Sequence, residues 1–122
     1  MRKETRKIAM AFLLGKKAHA ARSSTDGQKV FLHGHCIAER TVCYEEYPAT
    51  HDIWFSFCGW PTVTTRDRIN GILSILGYNR LGVSQRQGEQ WLVFDAKKVM
   101  KLDESGVAFN TNLLDRVMEE MA

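Results

Sequence analysis

The chain has 122 residues, of which 44% are hydrophobic and 25% charged, and its formal net charge is +3. These values are typical of one globular domain with a buried core, and they exclude a disordered tail or a low-complexity chain. No apolar run approaches the length of a transmembrane span, so we expect no membrane partner.

Basic residues are concentrated at the N-terminus. Residues 1–22 contain seven basic side chains and one acidic side chain, a net charge of +6, which leaves −3 for the other 100 residues. The seven are Arg2, Lys3, Arg6, Lys7, Lys16, Lys17 and Arg22. We therefore predict a basic helical arm over 1–22 and an α+β domain over 23–122. The arm either meets an anionic partner or only improves solubility.

The cysteines and the N-terminus bear on the compartment. Three cysteines, an odd number without a dense framework, favour free thiols in a reducing compartment. The N-terminal segment resembles a secretory signal peptide, because basic Met1–Lys7 precede apolar Ile8–Leu14. However, Lys16 and Lys17 follow where a signal peptide has uncharged residues. We expect no cleaved signal and a location in the cytoplasm.

The first half of the chain predicts a helix followed by strands. Residues 4–14 have a helical composition that ends at Gly15, and residues 16–27 are predicted as a loop with an Asp-Gly turn. A β-hairpin follows, formed by Lys29–His33 and Cys36–Cys43, with Gly34-His35 predicted as a type II′ turn. After a polar loop over 44–51, the near-continuous apolar character of Asp52–Phe57 predicts a central strand.

The central helix has the clearest pattern. Thr64 or Thr65 can cap it, and Asp67 completes a Thr-x-x-Asp variant of the capping box if Thr64 is the N-cap. Its buried stripe at helical spacing is predicted to be Ile69, Ile72, Leu73 and Leu76, with Gly77 as the stop.

The remaining elements complete an α+β fold. A second hairpin, Leu81–Arg86 and Glu89–Asp95, is predicted to turn at Gln87-Gly88. Residues 96–109 are predicted as irregular, and helical spacing resumes from Thr111 to Met121. The order α–β–β–β–α–β–β–α predicts one antiparallel sheet of about five strands, the central helix on one face and helices at both ends.

The histidines and cysteines are residue types that bind zinc, but their spacing in the sequence is not that of a zinc site. No Cys-x-x-Cys or His-x-x-x-His pair occurs among them, so we predict no metal site and buried thiols with turn histidines instead. The residues are His33, His35, Cys36, Cys43, His51 and Cys58. Cys58, just before a helix, also fits a thiol nucleophile, although a strand cysteine is more often a core residue. Without a P-loop, dinucleotide fingerprint or nucleophile elbow, we predict neither an enzyme nor a cofactor.

Nucleic-acid binding has more support in the sequence. Arg66 and Asn70, at i and i+4, are predicted on a polar side of the central helix and Arg86 at the second hairpin tip, where they can contact phosphates or base edges. Arg68, in the same helix, is predicted as a further binding residue. The alternative is an ordinary solvated helix face. Trp54, Trp60 and Trp91 are interpreted as core or corner residues. A further interpretation concerns the amphipathic end helices, which can pack against a partner, a second copy or the chain's own sheet. We expect the C-terminal helix to pack on the chain's own sheet, and both alternatives stay open for the N-terminal helix.

Three stretches resemble a family of small proteins of tailed bacteriophages and prophages: "STDGQKVFLHGHCIAER", "WFSFCGWPTVTTRDRINGIL" and "VSQRQGEQWLV". The matching positions are Thr25 to Gly27, Leu32 to Gly34, Ile37, Ala38, Arg40, Gly59 to Thr62, Thr64 to Arg66, Arg68, Asn70 and Ser84 to Arg86. His35 departs from the pattern, where asparagine is expected. The resemblance implies an accessory protein acting in the host cytoplasm without catalysis.

The sequence therefore predicts a protein that acts by binding. The first hypothesis is an accessory protein that binds nucleic acid or a host nucleoprotein complex through the basic arm, Arg66, Arg68, Asn70 and Arg86. The second is a protein-only inhibitor of a host defence or regulatory enzyme, using exposed aromatic residues and apolar helix ends. A zinc protein or thiol enzyme comes third.

Overall fold

The structure is a computed structural model that describes residues 1–43, 50–104 and 107–121. Within these ranges the chain forms three helices and nine strands. They are α1 (Lys3–Leu13), β1 (Ala18–Ala20), β2 (Ser23–Thr25), β3 (Lys29–Leu32), β4 (His35–Cys43), β5 (Thr50–Ser56), α2 (Val63–Ile75), β6 (Leu81–Arg86), β7 (Glu89–Phe94), β8 (Lys97–Lys101), β9 (Val107–Asn110) and α3 (Thr111–Met121). The predicted α+β class with helices at both ends is confirmed.

The strands form two antiparallel sheets, whereas one sheet of about five strands was predicted. One sheet has six strands in the order β1-β2-β3-β4-β5-β9, and the other is a three-stranded meander of β6, β7 and β8. The predictions of a loop over 16–27 and of irregular structure over 96–109 were wrong where β1, β2, β8 and β9 form. β1 and β2 are three-residue strands of small and polar residues, so they lack the alternation that marks a strand in the sequence. Most of the predicted polar loop, residues 44–49, lies outside the described residues.

Three hairpins turn through two residues that both have positive φ, which is the type I′ geometry. The loops are His33-Gly34 (φ 51° and 80°), Gln87-Gly88 (53° and 80°) and Asp95-Ala96 (50° and 65°). The predicted Gln87-Gly88 turn is confirmed. The first hairpin was predicted one residue too late and with the wrong turn type, because His33 occupies the left-handed position that glycine was expected to supply.

The central helix α2 begins earlier than predicted. Thr62 is its N-cap, and the Thr62 hydroxyl accepts from the Thr65 backbone N–H at 3.2 Å. The predicted capping box was therefore wrong, since Asp67 lies beyond the first turn. Ile69, Ile72 and Leu73 are buried as predicted. Gly77 follows the helix with φ 98°, the left-handed conformation expected of a helix stop.

The N-terminal helix α1 is packed into the common core. Ile8, Ala9 and Phe12 are at most 1% exposed and belong to the same cluster of buried residues as Leu73 of α2. The predicted boundary between the arm and the domain, at residue 22, lies between β1 and β2, which pair with each other. Residues 1–22 are thus packed with the rest of the chain.

A glycine sets the distance between α1 and α2. A Cβ atom at Gly71 of α2 would lie 2.2 Å from the Cγ2 methyl of Thr5 on α1, closer than any real contact allows. Glycine at this mid-helix position therefore lets the two helices approach. Within the ranges described, no helix has the length and apolar character needed to cross a bilayer.

Candidate nucleic-acid interface and pocket

The outer face of α1 presents a row of cations. Lys3, Arg6 and Lys7 are exposed, and their spacing of three and four residues places them on one side of the helix. Together with Glu4, Met10 and Ala20 they line a shallow groove of about 590 Å³. In the part of the chain that the structure describes, none of the three cations forms an ion pair with a carboxylate.

A buried arginine holds this face in place. Arg68 of α2 is 3% exposed; its Nε donates to Ser23 Oγ of β2 at 2.8 Å, and its Nη1 donates to Thr5 Oγ1 of α1. The Asp67 carboxylate accepts from the same threonine hydroxyl and lies 3.3 Å from the guanidinium. The two predictions for Arg68, a binding residue or part of an ordinary solvated helix face, both need an exposed side chain. The structure buries it instead, because these partners satisfy the charge inside the protein.

Two more of the predicted helix residues are held by intramolecular hydrogen bonds. Arg66 Nη1 donates to the Pro61 carbonyl and to Gln90 Oε1 of β7, the latter at 3.1 Å. Asn70 pairs with the backbone of Val83 on β6, donating to its carbonyl at 3.0 Å and accepting from its N–H at 2.7 Å. Both side chains tie α2 to the three-stranded sheet.

The other predicted cations are exposed but dispersed. Lys16 and Lys17 lie between α1 and β1, and Arg22 lies between β1 and β2. Arg86 ends β6 on the other sheet, with its guanidinium 3.5 Å from the Ala96 carbonyl. Arg2 extends the α1 row toward α2, because its Nη1 donates to Thr64 Oγ1 at 3.0 Å.

A pocket of about 440 Å³ opens beside Thr64, between the β3–β4 turn and the start of α2. Its apolar floor is formed by Leu32, Ile37 and Phe57, each at most 4% exposed. Its rim consists of His33, His35, Trp60, Thr62, Thr64 and Thr65. The rim combines two segments far apart in sequence, the first hairpin turn and the corner before α2.

The Trp60 corner presents its ring to solvent. Cys58 and Gly59 both have positive φ, and the Trp60 N–H donates to the Phe57 carbonyl at 2.8 Å, which closes a tight turn. The indole is 62% exposed and stacks on the His35 ring, with centroids 6.4 Å apart and planes at 27°. Trp60 lies at the corner before α2 that was predicted for it. The sequence feature that indicates this position is the proline after Trp60, because the residue before a proline disfavours the helical conformation and usually lies in a turn or an extended segment.

Several polar groups on the rim serve the fold. The Thr65 hydroxyl donates to the Trp60 carbonyl at 2.8 Å, and the Thr62 hydroxyl caps α2. The His33 N–H donates to the Arg22 carbonyl at 2.9 Å, which places the backbone of Arg22 next to the rim. In the described structure neither imidazole of His33 or His35 has a hydrogen-bond partner, so both can offer ring nitrogens to a ligand.

The histidines and cysteines form no ligand set for a metal ion in the described structure. Cys36 and Cys58 are free thiols, and the Cys58 thiol donates to the Cys36 carbonyl at 2.7 Å. Burial raises the pKa of the Cys36 thiol, which disfavours the reactive thiolate. The side chains of Cys43 and His51 lie outside the described residues.

The Thr25-Asp26-Gly27 stretch forms a turn anchored by an arginine. Asp26 Oδ1 accepts from the N–H groups of Gln28 and Lys29, and these bonds lower the pKa of the Asp26 carboxyl. Arg40 donates to the carbonyls of Gly27 and Phe12 at 2.8 and 2.7 Å. Here the residues that carry the family resemblance stabilise the junction of α1 and the hairpin.

Comparison with known protein families matches residues 1–113 to the family described as Kyanoviridae Gp96 protein. No curated protein and no solved structure matches the chain. The family match spans all three of the stretches that resemble a phage protein in the sequence. The chain belongs to the Kyanoviridae Gp96 family of phage proteins.

Proposed function

We propose that this phage protein is an accessory protein that binds nucleic acid, free or within a host nucleoprotein complex, in the host cytoplasm and without catalysing a reaction. The observation that carries the proposal is the row of exposed cations on α1, which have no carboxylate partner in the described structure. A phosphate backbone is the repeating anion that such a row suits.

The rigidity of α1 strengthens the proposal. Because Thr5 and Gly71 lock α1 against α2, the cations occupy defined positions and lose little conformational freedom on binding. Arg2 continues the row to the rim of the pocket, so that the groove on α1 and the pocket form neighbouring surfaces. Of the predicted binding residues, Arg2, Lys3, Arg6 and Lys7 contribute most in this proposal.

The test is binding of the full-length chain to labelled single-stranded and duplex DNA and RNA at increasing salt. Phosphate contacts release counterions, so affinity should fall steeply with salt. Lys3→Glu combined with Lys7→Glu should lower affinity and reduce the slope of log K against log salt by about two. The matched control is Lys97→Glu with Arg116→Glu, the same change of charge at exposed cations elsewhere, and it should act much less. Lack of binding at low salt would refute the proposal.

A groove at the opposite end of α1 favours the alternative, a protein-only inhibitor of a host defence or regulatory enzyme. Leu13 and Leu14 are 41% and 60% exposed, and they line a groove of about 490 Å³ with Leu76, Tyr78 and Asp115. An interface centred on Leu13 and Leu14 would depend less on salt than phosphate contacts do. Retention of a host protein at high salt, lost in Leu14→Glu, would favour this alternative.

A further inference from the structure

We infer that the pocket between the β3–β4 turn and the start of α2 binds an unpaired nucleobase, so that the protein prefers single-stranded nucleic acid. The inference rests on the proposed function and assigns a second part to the same binding surface. It identifies Trp60 as a binding residue, which the sequence alone did not indicate.

The shape and chemistry of the pocket suit a nucleobase. Its volume of about 440 Å³ is within the range of small-ligand sites, and its floor of Leu32, Ile37 and Phe57 is apolar. A planar heteroaromatic ring matches such a site, since it buries apolar faces and keeps polar edges at the rim. A duplex keeps its bases stacked and paired, and it offers no such ring without opening.

The indole of Trp60 offers a surface on which a base can stack. Large aromatic side chains are usually buried, yet this one is 62% exposed. His35 stacks beside it with centroids 6.4 Å apart, which supports the ring while leaving most of its surface open. Exposed aromatic rings next to cations are the means by which proteins hold single strands, because every base has a face that can stack.

The charges near the pocket favour a phosphate-bearing ligand. Arg2 reaches Thr64 on the rim, and Arg22 adjoins His33 on the rim through the backbone. Among the residues that the structure describes, no aspartate or glutamate lines the pocket. A base in the pocket would therefore have its own phosphates near cations, with Lys3, Arg6 and Lys7 following along α1.

The test compares a labelled oligothymidine of about 20 nucleotides with a duplex of the same length, since single-strand sites span several nucleotides. Wild type should bind the single strand more tightly. Trp60→Ala should weaken single-strand binding about tenfold, the effect of losing one stacked base, and leave duplex binding nearly unchanged. Trp60→Phe should retain most of the affinity. Trp54→Ala, at another exposed tryptophan, is the matched control and should have no effect.

Tryptophan fluorescence adds a readout that a merely structural role would not change. The oligothymidine should quench wild-type emission, and the quenching should be reduced in Trp60→Phe but retained in Trp54→Phe. Thymidine monophosphate serves as a further probe, and quenching by it at millimolar concentration would show that the pocket also accepts a free nucleotide.

Two results would overturn the inference. Equal affinity for single strand and duplex, both weakened by Lys3→Glu with Lys7→Glu and neither by Trp60→Ala, would leave the proposed function standing and refute the base pocket. Lack of binding to any nucleic acid at low salt would refute both.

Discussion

Arg68 Nε on α2 donates to Ser23 Oγ on β2 at 2.8 Å, inside the protein. The same guanidinium donates to Thr5 on α1, so one side chain joins two helices and the six-stranded sheet. Asp67 supplies the opposite charge at 3.3 Å. This network explains why an arginine in the middle of a helix is only 3% exposed, and it fixes α1 in the position that displays the cations.

The first prediction concerns this network. Arg68→Ala should lower the free energy of unfolding by about 3 kcal/mol, because it leaves a carboxylate and two hydroxyls without their buried partner. Urea denaturation would measure the loss. Arg80→Ala is the matched control, since Arg80 forms an exposed ion pair with Asp95, and its effect should be much smaller. Equal losses in the two variants would contradict a structural role for Arg68.

The second prediction concerns the approach of α1 to α2. Gly71→Ala favours helix formation by about 1 kcal/mol, but the new methyl collides with Thr5 Cγ2, and overpacking costs about 1–3 kcal/mol. We expect a net loss of stability by thermal denaturation. Thr5→Ser removes the methyl and keeps the hydroxyl, so in that background Gly71→Ala should be neutral or stabilising. A stabilising effect of Gly71→Ala alone would contradict the close packing.

The third prediction uses the Asp95-Ala96 turn. Ala96 has φ 65°, a conformation that costs residues with a Cβ more than it costs glycine. Ala96→Gly should raise the free energy of unfolding by roughly 0.5–1 kcal/mol in chemical denaturation, after the higher entropy of unfolded glycine is subtracted. The same substitution within α1, Ala11→Gly, should instead lower the free energy of unfolding by about 1 kcal/mol. Changes of the same sign at both positions would contradict the turn geometry.

The fourth prediction concerns alkaline pH. The Tyr78 hydroxyl donates to Asp115 Oδ1 at 2.7 Å, and burial, followed by this bond, raises the pKa of Tyr78 above its ordinary value. The folded state therefore favours the protonated phenol, and its contribution is complete below the unfolded pKa near 10 and decreases above it. The advantage of wild type over Tyr78→Phe in urea unfolding should be larger at about pH 8 than at about pH 11. A constant difference would contradict the prediction.

The local pattern of residues determined a good part of this protein. The stripe of Ile69, Ile72 and Leu73 and the glycine stop predict α2, because helix periodicity depends only on neighbours along the chain. The hairpin at Gln87-Gly88 and the helix from Thr111 are likewise local signals, and the structure has both. The concentration of cations in residues 1–22 is also a property of the sequence alone.

The tertiary structure decided which side of each helix or strand is buried and which faces solvent. Arg68 looks like a surface residue in any local window, and only the joint position of Thr5, Ser23 and Asp67 makes its burial favourable. The strand β2 exists because β3 offers it a hydrogen-bonding edge, and β1 because β2 then offers another, not because their residues prefer the strand conformation. The pocket brings His35 and Trp60 into contact, although the chain runs through β4 and β5 between them. Contacts between residues distant in sequence depend on the folded chain as a whole, so no local pattern contains them.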